Sequence, residues 1–186
     1  MKRRHRLAPA VLVPALLALS CNLPGKPADK PSDTVRKFLG EKAVALLSDA
    51  TTVEVYRVSS KRQGEPKDVK YKVEGYALHA PGKPQGKEFA RRLNGVLFDE
   101  DTYLFDIAKG CKFQPGVAFR IEKDRQSVIV LLCFSCDELR VLTLEGDKIV
   151  HTAHEDFDPA RATLVKLSKE AFPDDKEIQG LKEKKR

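Results

Sequence analysis

Tryptophan is absent from this sequence, and its four tyrosines are scattered along the chain. This composition argues against an aromatic platform of the kind on which sugar rings stack. The sequence also has no P-loop, no Rossmann fingerprint and no serine nucleophile elbow. The acidic run Asp99-Glu100-Asp101 lacks the spacing and central glycine of an EF-hand loop, so we interpret it as a solvated turn. The absence of these motifs leaves the biochemical activity open.

A membrane-spanning apolar run is missing as well. The apolar run Leu7–Leu19 has 13 residues and contains two prolines, whereas a membrane-spanning helix needs about 20 apolar residues. A basic segment precedes this run, with the cations Lys2, Arg3, Arg4 and Arg6. Basic residues, a short apolar stretch and a small residue near the cleavage point are typical of a secretory signal. We therefore expect residues 1–20 to be a signal peptide that is absent from the mature protein.

The end of the apolar run, Ala18-Leu19-Ser20-Cys21, resembles the lipobox of bacterial lipoproteins. In this chain the leucine stands two residues before the cysteine, whereas most lipoboxes have it three residues before. The resemblance implies cleavage before Cys21, a diacylglycerol on its sulfur and an acylated amino group, which together hold a protein on a membrane. By resemblance to Gram-negative sorting rules, Asn22 favours the outer membrane. The alternative is an ordinary signal peptide that happens to contain a cysteine.

The net charge does not indicate a nucleic-acid partner. Of the 34 basic residues, four lie in the predicted signal, so the mature chain has 30 against 27 acidic residues, a net charge of +3. So balanced a surface is typical of ordinary solubility rather than of binding to nucleic acid. The expected partner is instead the membrane, through the lipid on Cys21.

The remaining chain has the pattern of a single α+β domain. We expect residues 21–33 to be a lipidated cysteine with a proline-rich tether, residues 34–172 the domain, and residues 173–186 a charged tail. Helices are predicted over 34–48, 87–98 and 158–172. Strands are predicted over 51–59, 69–78, 117–122, 128–134, 139–144 and 148–153. The turns between the later strands are too short for crossover helices, so the fold is a mostly antiparallel sheet of about six strands with two or three packed helices.

The strand over 128–134 is apolar on both faces, which predicts burial on both faces. It ends in a C-x-x-C motif formed by Cys133 and Cys136. In a redox dithiol of this spacing the first cysteine begins a helix, which lowers its thiol pKa. Here a strand precedes the motif, and the carboxylates of Asp137 and Glu138 would raise the thiol pKa values. These features disfavour a redox role.

A second interpretation is a zinc site. The C-x-x-C spacing can present both sulfurs to one ion, and Cys111 would be a third ligand. His151 or His154, spaced H-x-x-H, could supply the fourth. A strand that ends at residue 153 would leave His154 beyond its end, so at most one of the two histidines would complete the site.

A third interpretation is a structural disulfide. Cys111 would be bonded to Cys133 or Cys136, and the remaining thiol would be buried. The oxidising periplasm permits such a bond. Such a bond closes a loop of roughly 20 to 25 residues, which adds about 3 kcal/mol to the free energy of unfolding in the chain-entropy estimate. Attachment of a c-type haem is excluded because Asp137, not histidine, follows the motif.

The cysteine spacing also resembles a known pattern. Cys111–Pro115 reads C-x-F-x-P, and after 17 residues Cys133–Cys136 reads C-F-x-C. The pair resembles a pattern in uncharacterised bacterial secreted proteins and lipoproteins, which implies that the three cysteines form one cluster. Our first hypothesis is a non-enzymatic binding or envelope-associated lipoprotein, in the periplasm or at the surface of a Gram-negative cell. A zinc-binding protein and a thiol redox protein are the alternatives.

Overall fold

The computed structural model describes residues 30–60, 66–107 and 109–184. The predicted signal peptide, Cys21 and most of the tether lie outside the described residues. The α-helices are α1 (Asp33–Leu39), α2 (Glu41–Ser48), α3 (Lys87–Leu97), α4 (Arg161–Ala171) and α5 (Lys176–Gln179). The strands are β1 (Glu54–Ser60), β2 (Tyr71–Val73), β3 (Tyr76–Pro81), β4 (Val117–Lys123), β5 (Gln126–Cys133), β6 (Glu138–Glu145) and β7 (Lys148–Asp156).

All seven strands belong to one sheet in the order β2-β3-β1-β4-β5-β6-β7, and every neighbouring pair is antiparallel. The predicted α+β class is therefore confirmed. The sheet has one strand more than expected because residues 69–78, predicted as one strand, contain a turn. Glu74 and Gly75 have φ values of 50° and 81°, and a two-residue hairpin turn needs this backbone. The alternating pattern continues on both sides of Glu74 and Gly75, so periodicity did not indicate the turn.

The helices cover one face of the sheet. Strand β5 shows how the two faces divide, since its side chains alternate between two hydrophobic clusters. Towards the helices lie Val128, Val130 and Leu132, and towards the opposite face lie Ile129, Leu131 and Cys133. None of these six residues is more than 2% exposed. The prediction that this strand is buried on both faces is confirmed. Its side chains are apolar on both faces because both faces of the sheet are covered at this strand.

The face opposite the helices is covered by the curl of the sheet and by a long connection. The β2–β3 turn reaches strand β6, where Glu74 Oε2 lies 3.1 Å from Arg140 Nη1. The Tyr76 hydroxyl donates a hydrogen bond of 3.3 Å to the Phe113 carbonyl. Phe113 belongs to residues 103–116, the last part of the connection between α3 and β4, which we call the 103–116 segment. Hairpin and segment together enclose a second, smaller core.

The first helix differs from its prediction. Residues 34–48 form two helices instead of one, because Gly40 lies between them with a φ of 83°. A Cβ atom at Gly40 would lie 3.1 Å from Cδ2 of His151. The same imidazole makes a 2.8 Å hydrogen bond through Nε2 with the Phe38 carbonyl. The helix therefore breaks where strand β7 approaches it closely, at a residue without a side chain.

The C-terminal segment 173–186, predicted as a charged tail, carries α5. Asp175 caps this helix, since its Oδ1 accepts 3.0 Å hydrogen bonds from the amides of Glu177 and Ile178. Ile178 is 1% exposed and belongs to the main core. Two apolar residues, Ile178 and Leu181, among many charged ones give no periodic signal, so the sequence does not indicate that this segment packs on the domain.

Candidate functional site

The cysteines lie where β5 turns into β6. Cys111 and Cys136 form a disulfide, with their Cα atoms 6.0 Å apart. This is one of the two pairings left open by the sequence. Cys133, the last residue of β5, is a free and buried thiol. The Asp137 amide donates a 2.8 Å hydrogen bond to the Cys133 carbonyl and so closes the turn between the two strands.

The free thiol is close to the disulfide. Cys133 Sγ accepts a 3.3 Å hydrogen bond from the Gln114 amide and lies 3.2 Å from Ser135 Oγ. The same Ser135 hydroxyl lies 3.9 Å from Cys136 Sγ. All three sulfurs are therefore grouped around one serine. Cys133 has no exposed surface, so a partner protein or a dissolved thiol cannot reach its sulfur in this conformation.

Arg161, at the start of α4, holds the turn in place. Its Nη1 donates a 2.8 Å hydrogen bond to the Phe134 carbonyl and a second bond to the Asp137 carboxylate. Its Nε donates to the Lys182 carbonyl at 2.9 Å. Asp137 is 1% exposed and its φ is 61°. Of the two carboxylates that the sequence places beside the thiols, Asp137 is thus compensated by a buried guanidinium, which sequence reasoning missed because it lies far along the chain.

Lys109 fixes the 103–116 segment across the ends of β6 and β7. Its Nζ lies 2.5 Å from Asp156 Oδ2 and 2.7 Å from Asp158 Oδ2. It also donates a 3.1 Å hydrogen bond to the Cys136 carbonyl. Burial alone would lower the pKa of Lys109, but the bonds to the two aspartates outweigh burial and raise this pKa above its ordinary value. The segment is therefore held both by the disulfide and by a charged anchor.

A cleft of about 410 Å³ lies between the 103–116 segment and the adjacent ends of β6 and β7. Its lining comes from the segment and from the two strands: Phe105, Asp106, Ile107, Lys109, Glu138, His154, Glu155 and Asp156. Four of these side chains are carboxylates and one is an ammonium group. Phe105 and Ile107 are 37% and 51% exposed, which is unusual for large apolar side chains in this domain. The cleft combines negative charge with an apolar rim.

Glu138 is a buried carboxylate in this cleft, and one of its oxygens lacks a hydrogen bond from the described residues. Its side chain is 8% exposed, and His154 Nε2 lies 3.5 Å from its Oε2. No described residue donates a hydrogen bond to that buried oxygen. A buried carboxylate oxygen without a hydrogen bond is costly. Sequence reasoning noted Glu138 only as a neighbour of the thiols, because nothing in the sequence indicates which side of the strand end it faces.

The two histidines do not come together. The prediction that the last strand ends at residue 153 is wrong, since β7 continues to Asp156 and contains His154. The pairing with β6 shifts register near Leu144. His151 contacts the helices through the Phe38 carbonyl, whereas the His154 ring packs against Phe113 on the opposite face, with 5.3 Å between centroids.

The structure describes no metal site around the cysteines. Within residues 30–60, 66–107 and 109–184, no three or more histidine, cysteine, aspartate or glutamate side chains are grouped so that they could hold an ion. Zinc binds cysteine as a thiolate, and the disulfide leaves Cys133 as the one cysteine of the motif that could become a thiolate. The zinc hypothesis stays a prediction, one that requires the disulfide to be reduced.

No family model, curated protein or solved structure matches this chain. The resemblances carried by Cys21 and by the cysteine spacing therefore stay predictions. Among the helices that the structure describes, none is both long enough and apolar enough to cross a membrane.

Proposed function

We propose that the protein is a lipid-anchored domain of the bacterial envelope that binds a ligand or partner and catalyses no reaction. The observation that carries this proposal is the Cys111–Cys136 disulfide, in a chain for which residues 1–20 are predicted to be an export signal. Disulfides persist in oxidising compartments and are rare in the cytosol. The signal, the lipobox-like Cys21 and the disulfide therefore support the same destination.

The distance between anchor and domain is consistent with such a role. Helix α1 begins at Asp33, 12 residues after Cys21. An extended chain spans at most about 3.6 Å per residue, so the 12 residues from Cys21 to Asp33 allow a separation of at most about 40 Å. The domain would therefore stay close to the membrane that holds the lipid, and its ligand would be met near that surface.

Binding fits the arrangement of the site better than the redox alternative does. The free thiol Cys133 is completely buried, and a redox protein needs an accessible thiolate. The cleft beside the disulfide has groups suited to recognition, because Lys109 and Asp156 are held together by an ion pair while Phe105 and Ile107 are exposed. Thiol counting and zinc analysis distinguish this proposal from zinc binding and from redox activity.

Lipid attachment can be tested by labelling the full-length chain with palmitate in a Gram-negative host. We expect the wild type to carry label and to sediment with membranes, and Cys21→Ser to lose both properties. The matched variant Asn22→Asp should keep the label but move from the outer to the inner membrane. A wild-type chain without label would contradict the lipid anchor.

The state of the cysteines can be tested by thiol counting on the full-length protein extracted in detergent. After denaturation we expect one reactive thiol before reduction and three after reduction, because Cys21 carries lipid. Zinc should be measured on the same sample. Stoichiometric zinc with three free thiols would support the zinc alternative. A thiol that reacts in the native protein would support the redox alternative instead.

A further inference from the structure

We propose that the cleft between the 103–116 segment and the ends of β6 and β7 binds the cationic group of a ligand, a primary ammonium or a guanidinium. Glu138 is the main partner of that group. This inference extends the proposed binding function and rests on it, but it does not depend on the lipid anchor. It assigns the chemical class of the ligand to one place in the fold.

The unmet hydrogen-bonding capacity of Glu138 carries the proposal. Its side chain lines the cleft and is 8% exposed, and the His154 imidazole lies beside it, with Nε2 at 3.5 Å from Oε2. No hydrogen bond from the described part of the chain reaches this oxygen. Native proteins seldom leave a buried carboxylate oxygen without a donor. Because Oε2 itself is covered, the Glu138 carboxylate must rotate towards the cleft for a ligand N–H group to donate to it. That group would supply the missing donor together with a compensating charge.

The sign of the charge in the cleft selects a cation. Four carboxylates line it, and the single ammonium, Lys109, is already bonded to Asp156 and Asp158. The remaining negative potential would repel an anion and attract a positive group. A bound metal ion is less suitable, because Glu138 and His154 provide two ligands and the described residues form no group of three. An ammonium or guanidinium group needs fewer partners than a metal ion.

The apolar rim indicates that the cation belongs to an organic molecule. Phe105 is held in position by edge-on packing on Phe38, at 5.3 Å between ring centroids, and by contact with Tyr103 at 5.2 Å. Its ring and Ile107 stay exposed beside the carboxylates. The alkyl part of an amine could pack on these side chains, and a volume of about 410 Å³ holds a small amine or one basic side chain. The ligand is therefore a free amine or a lysine or arginine side chain of a partner.

The binding can be measured by calorimetry on the full-length protein in detergent, at low salt and in phosphate buffer, which contains no amine. Cadaverine and agmatine serve as probes for the ammonium and the guanidinium group. We expect saturable binding to the wild type, and we expect Glu138→Gln to weaken it about 10- to 100-fold, the value of a charge-assisted hydrogen bond. Asp147→Asn removes one negative charge at the exposed turn on the other end of β6 and should change the affinity less than about twofold.

A second readout separates ligand binding from a structural role. Glutamine keeps the shape of glutamate and removes a buried charge, so the melting temperature of Glu138→Gln should equal or exceed that of the wild type. A lower melting temperature together with lost binding would mean a structural role and would overturn the proposal. So would the absence of amine binding to the wild type, equal binding to Glu138→Gln, or binding of calcium or zinc that depends on Glu138.

The two sources of the cation can be separated with capped, amidated peptides that contain one lysine or one arginine. Binding at least tenfold tighter than cadaverine would assign the site to a side chain of a partner protein, and the reverse order would assign it to a free amine. Palmitate labelling is independent of these titrations. A protein that is labelled but binds no amine would refute the cleft assignment alone.

Discussion

Arg120 and Glu138 are both buried charges on the face of the sheet opposite the helices, but they differ in their partners. The Arg120 side chain is 7% exposed, and its Nη1 lies 2.7 Å from Glu54 Oε2 and 2.8 Å from Glu122 Oε2. Its guanidinium also lies over the Tyr71 ring, 4.1 Å from the centroid. At Glu138, by contrast, the buried Oε2 receives no hydrogen bond from the described residues.

A charge that the fold compensates can be told from a charge that is available to a ligand by its partners within the chain. Burial opposes the charged form of Arg120, yet its hydrogen bonds to Glu122 and Glu54 raise its pKa above the ordinary value. The fold itself therefore compensates that charge. Glu138 lies beside an open cleft and keeps an unused acceptor, so its compensation can come from outside the chain.

The largest expected effect concerns a third buried charge, Arg161. Arg161→Leu would leave the Asp137 carboxylate buried without its cation, and removing one partner of a buried pair costs about 3–5 kcal/mol. The free energy of unfolding in urea measures this loss. Lys166→Gln on the same helix, at an exposed pair with Glu183, should change stability by less than about 0.5 kcal/mol. Equal effects of the two variants would contradict the role of Arg161.

Removal of the disulfide should cause the second-largest loss of stability. The double variant Cys111→Ser, Cys136→Ser opens a connection with a sequence separation of 25 residues, and the chain-entropy estimate predicts a loss of about 3 kcal/mol. Because the 103–116 segment forms one wall of the cleft, the variant should also bind cadaverine more weakly. Unfolding and calorimetry on the same preparation measure both changes, and reduction of the wild type should reproduce them. Unchanged binding would show that Lys109 alone holds the segment.

The contrast between Arg120 and Glu138 predicts stability changes of opposite sign when the two charges are removed. Arg120→Met removes a cation from between two carboxylates and should cost about 2 kcal/mol, whereas Glu138→Gln should stabilise the domain by about 1 kcal/mol. Thermal unfolding measures both stability changes. Arg125→Met, at an exposed position in the β4–β5 turn, is the control. The same sign for both variants would remove the distinction between the two sites.

The smallest expected effect is a pH dependence at Glu122. Its hydrogen bond from Arg120 lowers its carboxyl pKa. A lowered folded-state pKa means that the interaction stabilises the domain fully above the unfolded carboxyl pKa of about 4.3, and that this contribution is lost as the pH falls through the folded-state value. Melting temperatures between pH 6 and pH 3 should therefore fall less steeply for Glu122→Gln than for the wild type. Asp147→Asn is the control, and a steeper fall for Glu122→Gln would refute the assignment.

Much of the fold could be predicted because local patterns indicate it. The alternation over residues 117–122 and the apolar run over 128–134 predict β4 and β5, and both strands are present. The predictions differ from the structure where a distant contact decides the backbone. Gly40 breaks a helix because His151 approaches it, and the length of β7 depends on its pairing with β6. Periodicity within one segment contains no information on such contacts.

The α+β class, the burial of β5 and the three cysteines as candidate site residues could all be predicted from the sequence. These features follow from side-chain polarity and spacing within short stretches. Three-dimensional contacts were needed to show that Cys111 pairs with Cys136, that Arg161 compensates Asp137, and that one oxygen of Glu138 beside the cleft lacks a hydrogen-bond donor among the described residues. The physical reason is that compensation of a buried charge depends on groups brought together in space, which lie far apart along the chain.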